Sequence, residues 1–221
     1  MLKKVLSLDI GIINLGYVYS EITVTNDNFR PIANKVINYN IEVLSCDKVD
    51  ITDVKHSIVC RSICKLFHDN CIPDYIDHFI QENQEMFDEC DTILIERQPI
   101  TGITNVQDLI FSKFRNKSIL VSPNTIHKHF YMSRDYSVRK IESQQIAKKY
   151  LSSNINWINN IRKHDISDAL LLLLYHYHQL CKKEYSQLNT TVDFEEFRYT
   201  PIQNNLQNNY LQENSLSLLS K

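Results

Sequence analysis

Four acids stand at positions where a carboxylate is costly. Asp9 closes the apolar run VLSLD, Glu96 closes DTILIE, and Asp165 and Asp168 fall three residues apart in HDISDALLLLL. A buried strand end tolerates an acid only when it is paired, hydrogen-bonded or bound to a cation. The Asp-x-x-Asp spacing puts its two carboxylates on one helix face. Oxygen donors drawn from separate segments suit a hard cation such as magnesium, which prefers an oxygen shell and keeps several waters. Two such ions roughly 4 Å apart activate water on one side of a phosphate and stabilise the leaving oxygen on the other. Each acid also has a simpler structural explanation. Asp9 suits a turn bond, Asp165 an N-cap, Asp168 the positive end of a helix, and Glu96 a pairing with Arg97 or another base at the sheet edge.

These acids need strands and a helix to carry them. Lys4 to Ile10, Gly16 to Thr25 and Lys35 to Leu44 read as strands, the first two joined by the GIINLG turn into an antiparallel hairpin. Asp91 to Glu96 reads as a buried central strand and SILVS as a fifth. Helical patterns cover Val54 to Glu89, interrupted near Pro73, then Gly102 to Phe114, Val138 to Leu151 and Asp165 to Lys183, whereas Asn124 to Ser137 is loop-like. The expected fold is therefore α/β, a mixed five-stranded sheet flanked by helices. With only three glycines in 221 residues, two of them in the GIINLG turn, Gly11 is expected to turn the chain directly after Asp9 and to leave its backbone open to a phosphate. Gly16 is expected to permit the return into the second strand.

Composition bounds the function. The chain is 43% hydrophobic, and its longest apolar stretch, Ala169 to Tyr175, is far below the roughly 20 residues of a bilayer span. No leader pattern opens the sequence, so a soluble intracellular protein with no membrane association is expected. Six cysteines without paired spacing are expected as free thiols. His56, Cys60, Cys64 and His68 climb one helix face over about three turns, too far for one ion to reach, and read as a buried or interface face. Net charge is -2 overall, yet Lys113 to Lys183 holds thirteen Lys and Arg against four acids, +9, and the rest holds eleven against twenty-two, -11. That asymmetry suits a polyanion such as a phosphate backbone. Glycine is too scarce for a Walker A loop, a GxGxxG site or the second glycine-rich segment of actin-like ATPases, so no nucleotide cofactor is expected. After about Tyr185 the chain becomes rich in Asn, Gln and Ser, and residues 185–221 read as an extension to a domain spanning 1–184.

Strand-end Asp, hairpin, central-strand Glu and an Asp-x-x-Asp helix, in that order, resemble the RNase H-like nucleases. More closely, LDIGIINLGY, ILIERQ, VSPNTIHKHF and HDISDALLL resemble the RuvC-type Holliday junction resolvases of poxviruses and other large DNA viruses. The resemblance covers about residues 5 to 183. Bacterial RuvC has a proline where Ile10 stands, which points to the viral and mitochondrial branches.

The resemblance implies a metal-dependent endonuclease that resolves four-way junctions and other branched DNA by paired symmetric nicks, inside a virus-infected host cell. Asp9, Glu96, Asp165 and Asp168 would be catalytic and hold two Mg2+ ions per site, with Mn2+ as a substitute and Asp9 bridging both ions. Gly11, Asn14, Lys113, Arg115, Lys117, Lys128, Arg134, Arg139 and Lys140 would contact DNA. Phe130, Tyr131 and Tyr136 suit either base stacking or packing. Two matched cuts imply a homodimer, with His56 to Phe67 as a plausible interface. Related nucleases acting on other branched DNA or on RNA/DNA hybrids, and a DNA-binding scaffold of the same fold without activity, are the alternatives.

Overall fold

A computed structural model describes residues 2–26, 37–53 and 71–187. Three strands open the chain: β1 (Leu2–Asp9), β2 (Leu15–Asn26) and β3 (Ile37–Val49). Helices α1 (Ile72–Glu82) and α2 (Gln84–Glu89) lead to β4 (Thr92–Glu96), followed by α3 (Thr104–Lys113) and β5 (Ser118–Val121). Four helices follow: α4 (Pro123–His129), α5 (Tyr136–Leu151), α6 (Ile155–Asn159) and the long α7 (Lys163–Gln187). The sheet order is β3-β2-β1-β4-β5, with β1 antiparallel to β2 and parallel to β4. Because β5 also runs parallel to β4, three strands deliver their carboxyl ends to one edge. The mixed five-stranded α/β sheet expected from the sequence is the observed one.

Both faces of the sheet are covered. Leu6, Leu8, Ile93 and Ile95 point into one core with Phe79, Phe87, Val106 and Ile110. The alternate positions Val5, Ser7 and Leu94 are buried too, on the face crossed by α7. This explains why DTILIE reads as a continuous apolar run: a strand covered on both sides has no polar face to show. The alternation also fixes the acids, since Asp9 continues the Val5–Ser7 series and Glu96 follows Leu94 by two. Both carboxylates thus face α7.

Local chemistry sets the element ends. Pro73 lies in the first turn of α1, where a missing N–H costs nothing, so it starts a helix. Asp135 caps α5 by accepting from Val138 N at 3.0 Å. Asn154 caps α6 by accepting from Asn156 N and Trp157 N.

Several boundaries differ from expectation. The stretch 124–137 contains the helix α4, since Pro123 supplies a helical first turn that its basic and aromatic composition hides. Strand β3 runs on to Val49, beyond Leu44, because its pairing with β2 continues through a register shift between Tyr19 and Ser20. The five-residue helix α6 is too short to leave a periodic signature. The His56 to His68 pattern and the greater part of the 185–221 extension lie outside the described residues. Cys46, Cys71, Cys90 and Cys181 are free thiols.

Candidate active site

Asp9 and Glu96 meet because their strands do. The parallel register pairs Leu8 with Ile95, and one further step sets Asp9 beside Glu96. From the opposite side α7 brings Asp168. Together the three line one small pocket of about 40 Å³, with Pro123, Ile126 and His127 of α4 and Leu171 and Leu172 of α7 completing its wall.

The electrostatics of this cluster are adverse for a metal-free protein. Burial pushes the Asp9 carboxyl well above the usual carboxylate range, and the charges of Glu96 and Asp168, then a hydrogen bond between the Asp9 and Glu96 carboxyl groups, push it further. Only a protonated carboxyl can donate such a bond. Asp168 is pushed up to about 7, chiefly by burial and then by the charges of Glu96 and Asp165; the nearby Ser143 hydroxyl and the Lys140 ammonium act in the opposite direction. Like charges held together in a low dielectric repel one another, and a cation or a proton relieves them. An all-oxygen donor set under this stress fits a hard divalent cation. Among the described residues, however, no group of three or more His, Cys, Asp or Glu is already gathered as a ligand cage.

Asp165 explains part of that. It is buried at 6% exposure in the first turn of α7 and is not a wall of the pocket. Its carboxylate is gripped by Arg162, with Nε donating to Oδ2 at 2.8 Å and Nη2 to Oδ1 at 3.4 Å. His164 Nε2 lies 3.1 Å from Oδ1. The helix starts at Lys163, so Asp165 is inside the helix and is not its N-cap. Glu96 does not pair with Arg97; its Oε2 accepts from Gln98 Nε2 at 2.8 Å. Gln98 N in turn donates to the buried Gln107 at 2.7 Å, fixing the chain just beyond β4.

The two glycines act through closeness, since no glycine has a positive φ. A Cβ on Gly11 would stand 2.3 Å from the Asn14 carbonyl oxygen, so Gly11 makes the tight turn after Asp9. It is itself buried, which leaves its backbone less open than the sequence suggested, while Asn14 is half-buried and Ile13 exposed. A Cβ on Gly16 would stand 2.2 Å from the Asp165 carbonyl oxygen. Gly16 therefore lets α7 approach the hairpin, a role beyond allowing the return into β2.

The basic residues divide into two groups. Lys113, Arg115 and Lys117 lie around the start of β5, next to the start of β4 and at the opposite end of that strand from Glu96. Lys113 Nζ pairs with Asp77 at 2.7 Å, and Arg115 lies over the Phe111 ring. Lys117 Nζ donates to the carbonyls of Phe87, Asp88 and Cys90, where it caps the end of α2. The second group lies on and just after α4, the helix that lines the acidic pocket. Lys128 and Arg134 are exposed, Arg139 bonds the Ser133 and Arg134 carbonyls, and Lys140 Nζ lies 4.3 Å from the Tyr136 ring centroid. Phe130 is buried against His129 and His178, so it packs, whereas Tyr131 and Tyr136 are each 61% exposed.

Sequence reasoning assigned no role to His127, Gln98, Ser143 or Arg162. His127 lines the acidic pocket, and burial and the charge of Arg139 hold its pKa below the ordinary histidine value. Its place in VSPNTIHKHF was the available signal. Nothing in the spacing marked the other three, because each acts through a neighbour chosen by the fold.

No protein-family model matches the sequence, and no curated protein matches it. Solved structures do. The fowlpox virus resolvase in complex with its substrate Holliday junction DNA aligns with a TM-score of 0.51 at 19% identity, over 80% of this chain and 98% of that one. The fowlpox virus Holliday junction resolvase solved alone gives 0.51 at 17% identity, over 81% and 99%. Thermus thermophilus RuvC aligns at 0.47 with 10% identity, over 81% and 96%. The chain is thus similar in fold to the poxvirus Holliday junction resolvase, the architecture that the resemblance of its sequence implies.

Proposed function

We propose that this protein is a structure-selective endonuclease that resolves four-way DNA junctions by paired symmetric nicks. The observation that carries this reading is the convergence of Asp9, Glu96 and Asp168 on one pocket at the carboxyl ends of the parallel strands. Open α/β sheets place their chemistry at that edge. Asp9, Glu96 and Asp168 would hold divalent metal, Mg2+ with Mn2+ as a substitute, and Asp165 would join them from the first turn of α7. Two ions, when bound, activate water and stabilise the leaving oxygen of a phosphodiester.

The chain's own residues do the positioning. Gln98 orients Glu96 by donating to Oε2, and the apolar wall of Ile126, Leu171 and Leu172 limits water around the carboxylates. Lys128, Arg134, Arg139 and Lys140 supply positive charge beside the pocket for phosphates of the junction arms, with Asn14 at the hairpin turn. Lys113 and Arg115 reach only DNA that extends past the far end of the sheet. Tyr131 and Tyr136 are the aromatic rings available to bases. Residues 185–221 are assigned to a C-terminal extension of the catalytic domain.

The partner is branched DNA, the site of action is the interior of a virus-infected cell, and the active species is a homodimer, since two matched cuts need two sites. No helix among the described residues is long and apolar enough to cross a membrane. Incubation with a synthetic mobile four-way junction and magnesium, with the nicks mapped on each strand, tests the reading. Symmetric nicks in opposed strands are expected; cutting of RNA/DNA hybrids alone, or of nothing, rejects it. Light scattering on the same preparation reads the dimer.

A further inference from the structure

Asp165 differs from the other three acids in what holds it. Both of its carboxylate oxygens are engaged by the planar fork of Arg162, at 2.8 and 3.4 Å. Its side chain is only 9% exposed, whereas that of Arg162 is 44% exposed. The segment that presents the arginine is fixed from three directions. Asn160 Oδ1 accepts from Arg162 N at 2.9 Å, Trp157 Nε1 donates to Ser167 Oγ at 3.1 Å, and Asn156 Nδ2 donates to the Cys46 carbonyl at 3.1 Å. The guanidinium also feels the charge of Asp9.

A guanidinium and a divalent cation seek the same oxygens and repel one another. Engagement of Asp165 by one must weaken its engagement by the other. We propose that Arg162 is a positioning residue that competes with the divalent cation for the Asp165 carboxylate, and so sets the concentration at which the site fills. This inference rests on the metal-site reading given above. Arg162 acts in it through Asp165 alone, with no contact to the reacting phosphate.

The test is metal binding by the full-length, DNA-free protein, followed as the magnesium dependence of its melting temperature and repeated with manganese. Replacing Arg162→Gln should lower the magnesium midpoint by roughly threefold or more, because a charge-assisted pair at a half-exposed position no longer opposes the ion. Arg162→Lys, which keeps the charge and loses the fork, should fall between the two. In an Asp165→Asn background the Arg162→Gln change should leave the midpoint where it was, since Arg162 acts through that carboxylate, whereas direct repulsion of the ion by the guanidinium would still lower it. Loss of a merely structural contact would raise the midpoint in the single variant. An unchanged or raised midpoint in both Arg162 variants, beside wild-type protein whose magnesium response is abolished by Asp9→Asn, overturns the competition and leaves the metal site standing. Wild-type protein that gains no stability from either metal overturns both.

Discussion

The carbonyl oxygen of Asp165 occupies the space where a side chain on Gly16 would begin, 2.2 Å from an ideal Cβ position. Gly16 pairs with Asp9 across the hairpin, so one glycine sets the separation between the first catalytic candidate and the helix that carries the others. Substituting Gly16→Ala should destabilise the protein by about 1–3 kcal/mol, the usual cost of overpacking a close contact. Urea denaturation measures the loss, and junction cleavage should fall as α7 is displaced. Gly102→Ala is the control: its new methyl would meet the exposed Pro99 ring at 3.0 Å, a looser contact than the helix backbone at 2.2 Å, and the loss should be smaller.

Asp9→Asn should have opposite effects on stability and activity. Burial and the charges of Glu96 and Asp168 oppose ionisation of Asp9, so folding must either protonate it or bury its charge. A neutral amide avoids that cost and should raise the melting temperature of the metal-free protein. It should also abolish the stabilisation by magnesium and lower cleavage by about 100-fold or more, the scale set by losing one preorganised electrostatic group. A variant that cuts at the wild-type rate would remove Asp9 from the chemistry.

Those two expectations show what the sequence carried. The positions of Asp9 and Glu96 were legible because acids at the ends of apolar runs break a pattern that burial imposes, and strand order then aligns them. The Asp-x-x-Asp pair was legible through helical spacing. The grip of Arg162 on Asp165 was not, since a loop arginine three residues before an acid looks the same whether it binds inward or faces water. Nor did composition separate Lys117 from Lys128: the first caps a helix and the second is exposed, a difference made entirely by tertiary placement. The helix α4 was missed because its polar, basic sequence matched a loop.

Titration of Asp168 gives a pH signature. Its carboxyl is raised from the ordinary value of 3.8 to about 7 in the folded state, so between these values the native protein binds the proton and the unfolded chain does not. Stability contributed by this group is therefore full below pH 4 and is lost as pH rises through about 7. The difference in melting temperature between metal-free wild type and Asp168→Asn, followed from pH 5 to pH 8, isolates that change from other groups. Magnesium affinity should move the other way, weakening as the pH falls below about 7 because protons compete for the same oxygen.

Lys117 and the Lys128–Arg134 pair should separate stability from DNA binding. Lys117→Met strips the ammonium from the Phe87, Asp88 and Cys90 carbonyls and should cost about 1.5–3 kcal/mol, the range for hydrogen bonds to a charged group. Replacing Lys128 and Arg134 with Ala together should leave the urea midpoint within about 0.5 kcal/mol of wild type, as is usual for exposed side chains. Junction affinity of that double variant, measured by fluorescence anisotropy over a salt series, should fall on all sequences and lose about two units of its logarithmic salt slope. An unaltered slope would place DNA elsewhere on the protein.

The run of pairings from Leu2–Thr23 to Asp9–Gly16 has a consequence for how the protein can fail. Successive residues of a strand point to opposite faces, so sliding β1 by a single position would turn Asp9 away from α7 and deliver a leucine or an isoleucine in its stead. Such a slipped protein would still collapse around a greasy interior while being chemically blank. Substitutions that loosen the hairpin should therefore extinguish cutting well before they melt the protein.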